Sequence, residues 1–263
     1  MKVGIITGTG TYALPGFEAD AAKTVSTAFG EAVVTEGEMG PVEVLHVSRH
    51  GEGHRRLSNH VTHRANVAAL KEEGADCVVA VTVCGAVDSS LALGSLIVFD
   101  DLHFLQNRLA DGSLCTFSDT PGDPMRGHWI YEDPFATGVR EVLLEASREA
   151  GVGVRDGGCY GHVDGPRFNT RAEIRSLAQA GVTAVSQTAG PETVLCGEAE
   201  LPYGLLGYAT DYANGVKDEP TPVDELIRLI GASSEVFSRV LGLAVPKLAE
   251  HAPEPPGTIY RFE

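Results

Sequence analysis

Three threonines and one arginine stand at or near the ends of apolar, strand-like runs: Thr9 after Val3 to Thr7, Arg49 after Val42 to Val47, Thr82 within Cys77 to Val83, and Thr188 after Val182 to Ser186. Neutral hydroxyl donors with one bidentate cation suit a phosphate that must stay nucleophilic, whereas several lysines would bind it too tightly. Gly8-Thr9-Gly10 could also open a dinucleotide fingerprint, but the third glycine is replaced by Ala13 and no second βαβ half follows. Taken alone, it is equally a tight strand-to-loop turn.

His50, His54, His60 and His63 invite a metal reading. Gly51 and Gly53 would break the helix needed to bring the His50 and His54 rings together, and Arg49, Arg55 and Arg56 disfavour a divalent ion. No metal and no cofactor are therefore expected. Arg167 and Phe168 fit a buried ion-pair partner and a core ring, while an aromatic at a strand end fits equally a wall for a planar base. Asp211, after an apolar strand, fits a turn or cap as readily as a site carboxylate.

The elements that must carry these residues alternate. Apolar, β-branched runs over Val3–Thr7, Val42–Val47, Cys77–Val83, Ser95–Phe104, Gly157–Val163, Val182–Ser186 and Leu205–Thr210 predict strands. Helical spacing is predicted over Arg64–Glu73, from Asp133-Pro134 to about Ala150, and from Arg171 to Ala180, with Thr170 and Glu173 set for a capping box. A short helix begins near Pro191-Glu192. Another starts at Thr221-Pro222-Val223-Asp224, with Val223, Leu226, Ile227 and Ile230 as its apolar face. Gln106 to Gly127 reads as a long polar loop, the kind that covers sites. The expectation is an α/β fold: a single domain over residues 1–250 with a central, largely parallel mixed sheet flanked by helices, then an extended 251–263 tail. Function belongs at the carboxyl ends of the strands.

The 263 residues show no composition break, and 43% apolar with 21% charged residues is ordinary for a globular chain. A formal charge of −16 argues against nucleic acid or an anionic membrane as partner, so any bound anion must meet a local pocket of cations and N–H groups. The N-terminus has no signal-peptide pattern, and no later segment reads as bilayer-spanning, so a cytoplasmic location is expected. Five scattered cysteines without a CxxC pair suggest neither a disulfide framework nor a zinc site.

From Val3 to about Glu250 the chain resembles the trimeric purine nucleoside phosphorylase and methylthioadenosine phosphorylase family. The ordered set Gly8-Thr9-Gly10, Arg49-His50-Gly51 with His54, His63-Arg64-Ala65-Asn66, Gly165-Pro166-Arg167-Phe168, Pro191-Glu192 and Thr210-Asp211-Tyr212 carries the resemblance. It implies that Thr9, Arg49, His50, Thr82 and Thr188 hold phosphate. It extends a nucleoside site over Val83, Cys84, Gly85, Phe168, Asn169, Ser186, Gln187, Asp211 and Ala213, with Asp211 and His50 as catalytic residues. His128, before Asp133-Pro134-Phe135, would reach the nucleoside of an adjacent subunit in a homo-oligomer, by family analogy a trimer. The implied reaction is phosphorolysis of a nucleoside, with phosphate as co-substrate.

Four departures bear on the substrate. Ala213 stands where methylthioadenosine phosphorylases carry a second Asp. Asn169 and Asp211 stand where 6-oxopurine enzymes carry Glu and Asn. Gln187 replaces the Met that packs under the ribose, and Leu57-Ser58-Asn59-His60 with Thr62-His63 replaces the usual segment after the Arg-His motif. The base leans to a 6-aminopurine, but the amide of Gln187 could pair with a uracil edge, which leaves a 5′-modified pyrimidine nucleoside as an alternative. A non-catalytic nucleoside-binding protein is a third reading, disfavoured because it would have no use for a phosphate cradle.

Overall fold

The computed structural model describes residues 1–11, 14, 16–123 and 126–262; Ala13 lies outside them. The first half holds β1 (Lys2–Thr7), β2 (Glu18–Thr27), β3 (Gly30–Met39), β4 (Val42–Ser48), α1 (His63–Glu72), β5 (Cys77–Ala86), β6 (Leu96–Val98), β7 (Asp101–His103) and β8 (Gly127–Ile130). Then come α2 (Thr137–Glu149), β9 (Val154–Asp156), β10 (Cys159–His162), α3 (Arg171–Gln179), β11 (Val182–Ser186), α4 (Ala189–Glu198), β12 (Tyr203–Tyr212), α5 (Val223–His251) and β13 (Thr258–Arg261). Among the described residues the main sheet has eleven strands, with β2-β3-β4-β1-β5-β11-β10-β7 as its spine and β12, β6 and β9 branching from β5. Parallel pairing joins β1 to β4 and β5, β5 to β12, and β10 to β7 and β11.

The centre is apolar on both faces because helices cover both, as parallel strands require. Ile5, Val79, Val81 and Leu206 point to one side, where they pack with Val139 and Val142 of α2 and with Phe237 and Leu241 of α5. Ile6, Val78, Ala80 and Leu205 point to the other, against Val67 and Leu70 of α1 and Leu195 of α4. Each strand thus alternates between two cores, with period two. Thr170 caps α3 with the full capping box to Glu173, as its sequence spacing predicts.

Several boundaries depart from the sequence expectations. The β2–β3 hairpin is read from no periodicity: its first strand is mostly exposed, and it exists through pairing with β3, which in turn pairs with β4. Ser95–Phe104 is two strands, because β6 pairs with β12 while β7 crosses to β10. Gly157–Val163 begins its strand only at Cys159, and α2 starts at Thr137, four residues after Asp133. The 29-residue α5 is long and apolar enough, by length and composition, to cross a membrane, which the sequence reading did not find. Its buried side chains belong to the core over the sheet. On its first turns Val223 and Ile227 are exposed, so the predicted apolar face is only partly core. The predicted 251–263 tail begins one residue late, since His251 still belongs to α5, and its described part is tied down: β13 pairs antiparallel with β8, and Trp129 Nε1 donates to Pro256 O at 2.8 Å.

Candidate active site

The carboxyl ends of β1, β4, β5, β11 and β12 open into one cavity of about 300 Å³. The sheet brings together residues distant in sequence: Thr9 follows β1, Arg49 and His50 follow β4, Thr82 to Gly85 lie near the end of β5, Ser186 ends β11 with Gln187 and Thr188 after it, and Asp211 is the last residue but one of β12. Phe168, Asn169 and Ala213 line the same space. Every sequence-assigned site residue except His128 is therefore at this cavity. His128 sits on β8, opposite Tyr260, with its ring edge-on to Phe262 at 5.3 Å, and is no part of this chain's cavity wall.

Arg49 is 1% exposed, and its fork is already used. Nε donates to Glu192 Oε1 at 2.7 Å, Nη2 to Glu192 Oε2 at 2.8 Å, and Nη1 to Val81 O at 2.8 Å. The sequence reading gave this guanidinium to phosphate as a bidentate clamp. In the structure the bidentate partner is Glu192, and of five N–H groups only one on each Nη is not committed by these bonds. A Cβ at Gly8 would collide with Nη1, so the first glycine of Gly8-Thr9-Gly10 makes room for Arg49. Tyr203 Oη also donates to Glu192 Oε2, at 3.3 Å.

The hydroxyls join up. Thr82 Oγ1 lies 3.0 Å from Ser186 Oγ and 3.1 Å from Val83 O. Thr188, the N-cap of α4, lines the cavity, so the positive end of that helix lies at it. Contrary to the expectation that Gly51 and Gly53 keep the two rings apart, His50 stacks on His54 with centroids 4.2 Å apart, because a 3-10 turn with both glycines at positive φ replaces the helix; His50 Nδ1 lies 2.8 Å from Arg56 O. A carbonyl partner makes Nδ1 the donor and leaves Nε2 an acceptor. Burial, then the Arg49 charge, pushes the His50 pKa down to about 3, so the ring is neutral. Among the described residues no three His, Cys, Asp or Glu side chains gather as a metal would need.

Asp211 follows a register shift in β12, a bulge that re-aims the side chain at Gly85. Burial raises its pKa, partly opposed by Thr210 Oγ1, which donates to Oδ1 at 2.8 Å. Phe168 is 63% exposed and lines the cavity. Arg167 pairs with Glu173 at 2.7 Å, but at the surface and not as the buried ion-pair partner that the sequence suggested. Val83, Cys84, Val163, Ile174 and Val185 make the rest of the lining largely apolar.

A family model described as the phosphorylase superfamily matches residues 2–245. The chain belongs to that superfamily. A 6-oxopurine nucleoside phosphorylase of Pyrococcus furiosus is 30% identical over 250 residues, covering 93% of this chain and 92% of the relative. An S-methyl-5′-thioadenosine phosphorylase of the same organism is 32% identical over 252 residues, 95% of this chain and 93% of the relative. A solved methylthioadenosine phosphorylase from Schistosoma mansoni in complex with adenine superposes with a TM-score of 0.85 at 27% identity, over 95% of this chain and 92% of that one.

Sequence reasoning missed several parts of this phosphorylase-superfamily site. Glu192 was noted only as part of a motif; its partner is 143 residues away, so no local spacing announces the pair. Leu226 and Ile230 line the cavity, although their four-residue spacing read as core. Ser58, His54 and Thr210 also line it, and only their place beside strand-end motifs hinted at it.

Two predictions follow from burial. Arg49→Ala strands the Glu192 carboxylate in the interior and should lower stability by about 3–5 kcal/mol, measured by urea unfolding; an unchanged midpoint would show the pair to be hydrated. His46, His50, His63 and His162 are held neutral, His46 by burial at about 4 and the other three at about 3, against an ordinary value of 6.5. Each takes up a proton on unfolding below its ordinary pKa, so its contribution is complete above pH about 6.5 and lost as the pH falls, by up to about 1.4 kcal/mol per unit. Asp211 and Glu198, both raised by burial, offset part of that loss. Unfolding free energies measured from pH 8 to about 4.5 should decline below pH about 6.5; a flat profile would mean that these rings charge freely in the fold.

Proposed function

We propose that this chain is a nucleoside phosphorylase acting on a 5′-deoxy or 5′-substituted purine nucleoside. The observation that carries the reading is one cavity holding both a hydroxyl cradle next to a helix N-terminus and a half-buried carboxyl of raised pKa, with an exposed aromatic ring in the same lining. A phosphate oxygen forms a bond to C1′ as the glycosidic bond breaks. The bonding pair leaves with the base, and Asp211 in its protonated form donates to N7, then regains its proton from solvent. Thr9, Thr82 and Thr188 donate to the phosphate, with the remaining Arg49 N–H groups, and neutral His50 accepts at Nε2. The chemistry calls on no cofactor; inorganic phosphate is a co-substrate.

Leu226 and Ile230 of α5 support an apolar 5′ substituent, because a hydroxyl facing them would lose its water without gaining a partner. Asp211 supports a 6-aminopurine: it donates to N7 and its second oxygen accepts from an amino group, while a 6-oxo group would face it unfavourably. The uridine-type alternative rested on Gln187, whose amide is engaged on both ends by Ser58 and by Arg167 O. A pure binder of nucleoside is disfavoured by the cradle.

We also take the active form as a homotrimer, with His128 at a neighbour's cavity. Ile130, Tyr131, Tyr260 and Phe262 are exposed around it on the β8–β13 ribbon, an apolar surface that a second copy would cover.

Arg49→Ala confounds stability with binding, so the phosphate reading is tested at Thr188. Thr188→Ala should raise the KM for phosphate, by about two- to tenfold for one hydrogen bond, and leave the nucleoside KM alone. Asp211→Asn should lose turnover on adenosine-type substrates and move preference towards 6-oxopurines; unchanged preference would remove Asp211 from base recognition. Sedimentation at micromolar concentration should give three times the mass of the 27.7 kDa chain; a fully active monomer would dismiss the neighbour's His128.

A further inference from the structure

β11 ends at Ser186 and delivers Gln187 between two segments that pair with each other through no strand. One is the 3-10 turn Ser58–His60, between β4 and α1; the other is the loop from β10 to α3. Ser58 Oγ donates to Gln187 Oε1 at 2.8 Å, and Gln187 Nε2 donates to Arg167 O at 3.1 Å. One planar amide thus spans the two. Gly165 lies directly against this bridge: a Cβ there would overlap both Gln187 Oε1 and Ser58 Oγ. The absence of a side chain at Gly165 is therefore a requirement of the bridge.

Both bridged segments are cavity walls. Leu57 and Ser58 line one side, and Pro166, Phe168 and Asn169 the other. Phe168 and Leu57 are exposed, so their own packing does not fix the distance between the walls. The buried bonds of the phosphate end, by contrast, are anchored in strands and in α4.

We propose that Gln187 is a positioning residue for the nucleoside: its amide straps the Leu57–Ser58 segment to the Gly165–Phe168 loop and sets the width of the slot that Phe168 walls. It rests on the reading of this cavity as a nucleoside site. An amide that read a base edge would need its donor and acceptor free along the same edge; here the strap occupies one of each. Ser58 is then as important as Gln187, although a base-reading amide would give Ser58 no role in substrate choice.

The test compares Ser58→Ala, Gln187→Met and the double variant in phosphate-dependent base release. Adenosine-type and uridine-type substrates carrying one 5′ group are used. Either single change should raise the nucleoside KM, by about two- to tenfold for a lost hydrogen bond, with kcat and the phosphate KM kept. The double variant should be no worse than the worse single, since both cut the same strap. The preference between the two bases should not move, and Ser58→Thr, which keeps the hydroxyl, should restore the KM. Additive effects of the two single changes would overturn the strap, as would a change of base preference in Gln187→Met that Ser58→Ala does not share. Unaltered kinetics in both would overturn it as well. If the unmodified protein releases no base from any substrate in phosphate, it is the nucleoside phosphorylase reading that fails.

Discussion

Arg49 and Glu192 place two full charges where water does not reach. The idealised cost of such a transfer is large, and the mutual attraction offsets it only when the geometry is good and the remaining hydrogen-bonding capacity is filled. Here the fork is bidentate, the third nitrogen reaches Val81 O, and Tyr203 donates to the carboxylate. These partners lie at the end of β4, in the middle of β5, in the first turn of α4 and at the start of β12. One ion pair therefore fixes the relative placement of four elements whose ends carry the site. It also explains Gly8, whose missing side chain leaves room for the guanidinium. The arrangement is rigid for a physical reason: moving any of the four elements would expose a buried charge without its partner.

What the sequence made legible follows from how local each determinant is. The strands β1, β5, β11 and β12 are apolar on both faces, so a continuous run of Val, Ile, Leu and Ala announces them without knowledge of neighbours. The residues at their ends could be proposed as a site because parallel strands put their carboxyl ends on one side. The β2–β3 hairpin was not legible, since Glu18–Thr27 has no apolar alternation and is held by pairing with β3, by the Lys23–Glu73 ion pair and by Val25 in the core, none of them local. The break between β6 and β7 was hidden for a related reason. The stretch Ser95–Phe104 looks uniform, and only its two different partners divide it.

The site shows the same division. Residue types that suit phosphate could be picked out at strand ends, but which of them are free to bind is decided by partners far along the chain. Arg49 looked like an uncommitted cation until Glu192, and Gln187 looked like a base reader until Ser58 and Arg167. On α5, amphipathic spacing says that Leu226 and Ile230 face something apolar. It does not distinguish a neighbouring side chain from a cavity, and the same spacing left Val223 and Ile227 exposed.

The charge balance of the cavity ties these points together. The chain carries 20 basic and 36 acidic side chains, so its long-range field repels a phosphate ion. At physiological ionic strength that field fades over about 8 Å, and inside the cavity only near groups count. Arg49 is neutralised by Glu192, and His50 is neutral because burial and Arg49 depress its pKa. At the proposed phosphate end neither Arg49 nor His50 then presents an uncompensated cation. What remains are oriented dipoles: the hydroxyls of Thr9, Thr82 and Thr188, and the N-terminus of α4. Dipoles held in place by the fold need no rearrangement when charge shifts during a reaction, so they stabilise a transition state at little reorganisation cost. A full uncompensated cation would instead hold the phosphate charge in the ground state and reduce its nucleophilicity. On the proposed reading, the buried carboxylate of Glu192 does more than fix Arg49: by cancelling its charge it leaves a cradle that can orient phosphate and still let it attack.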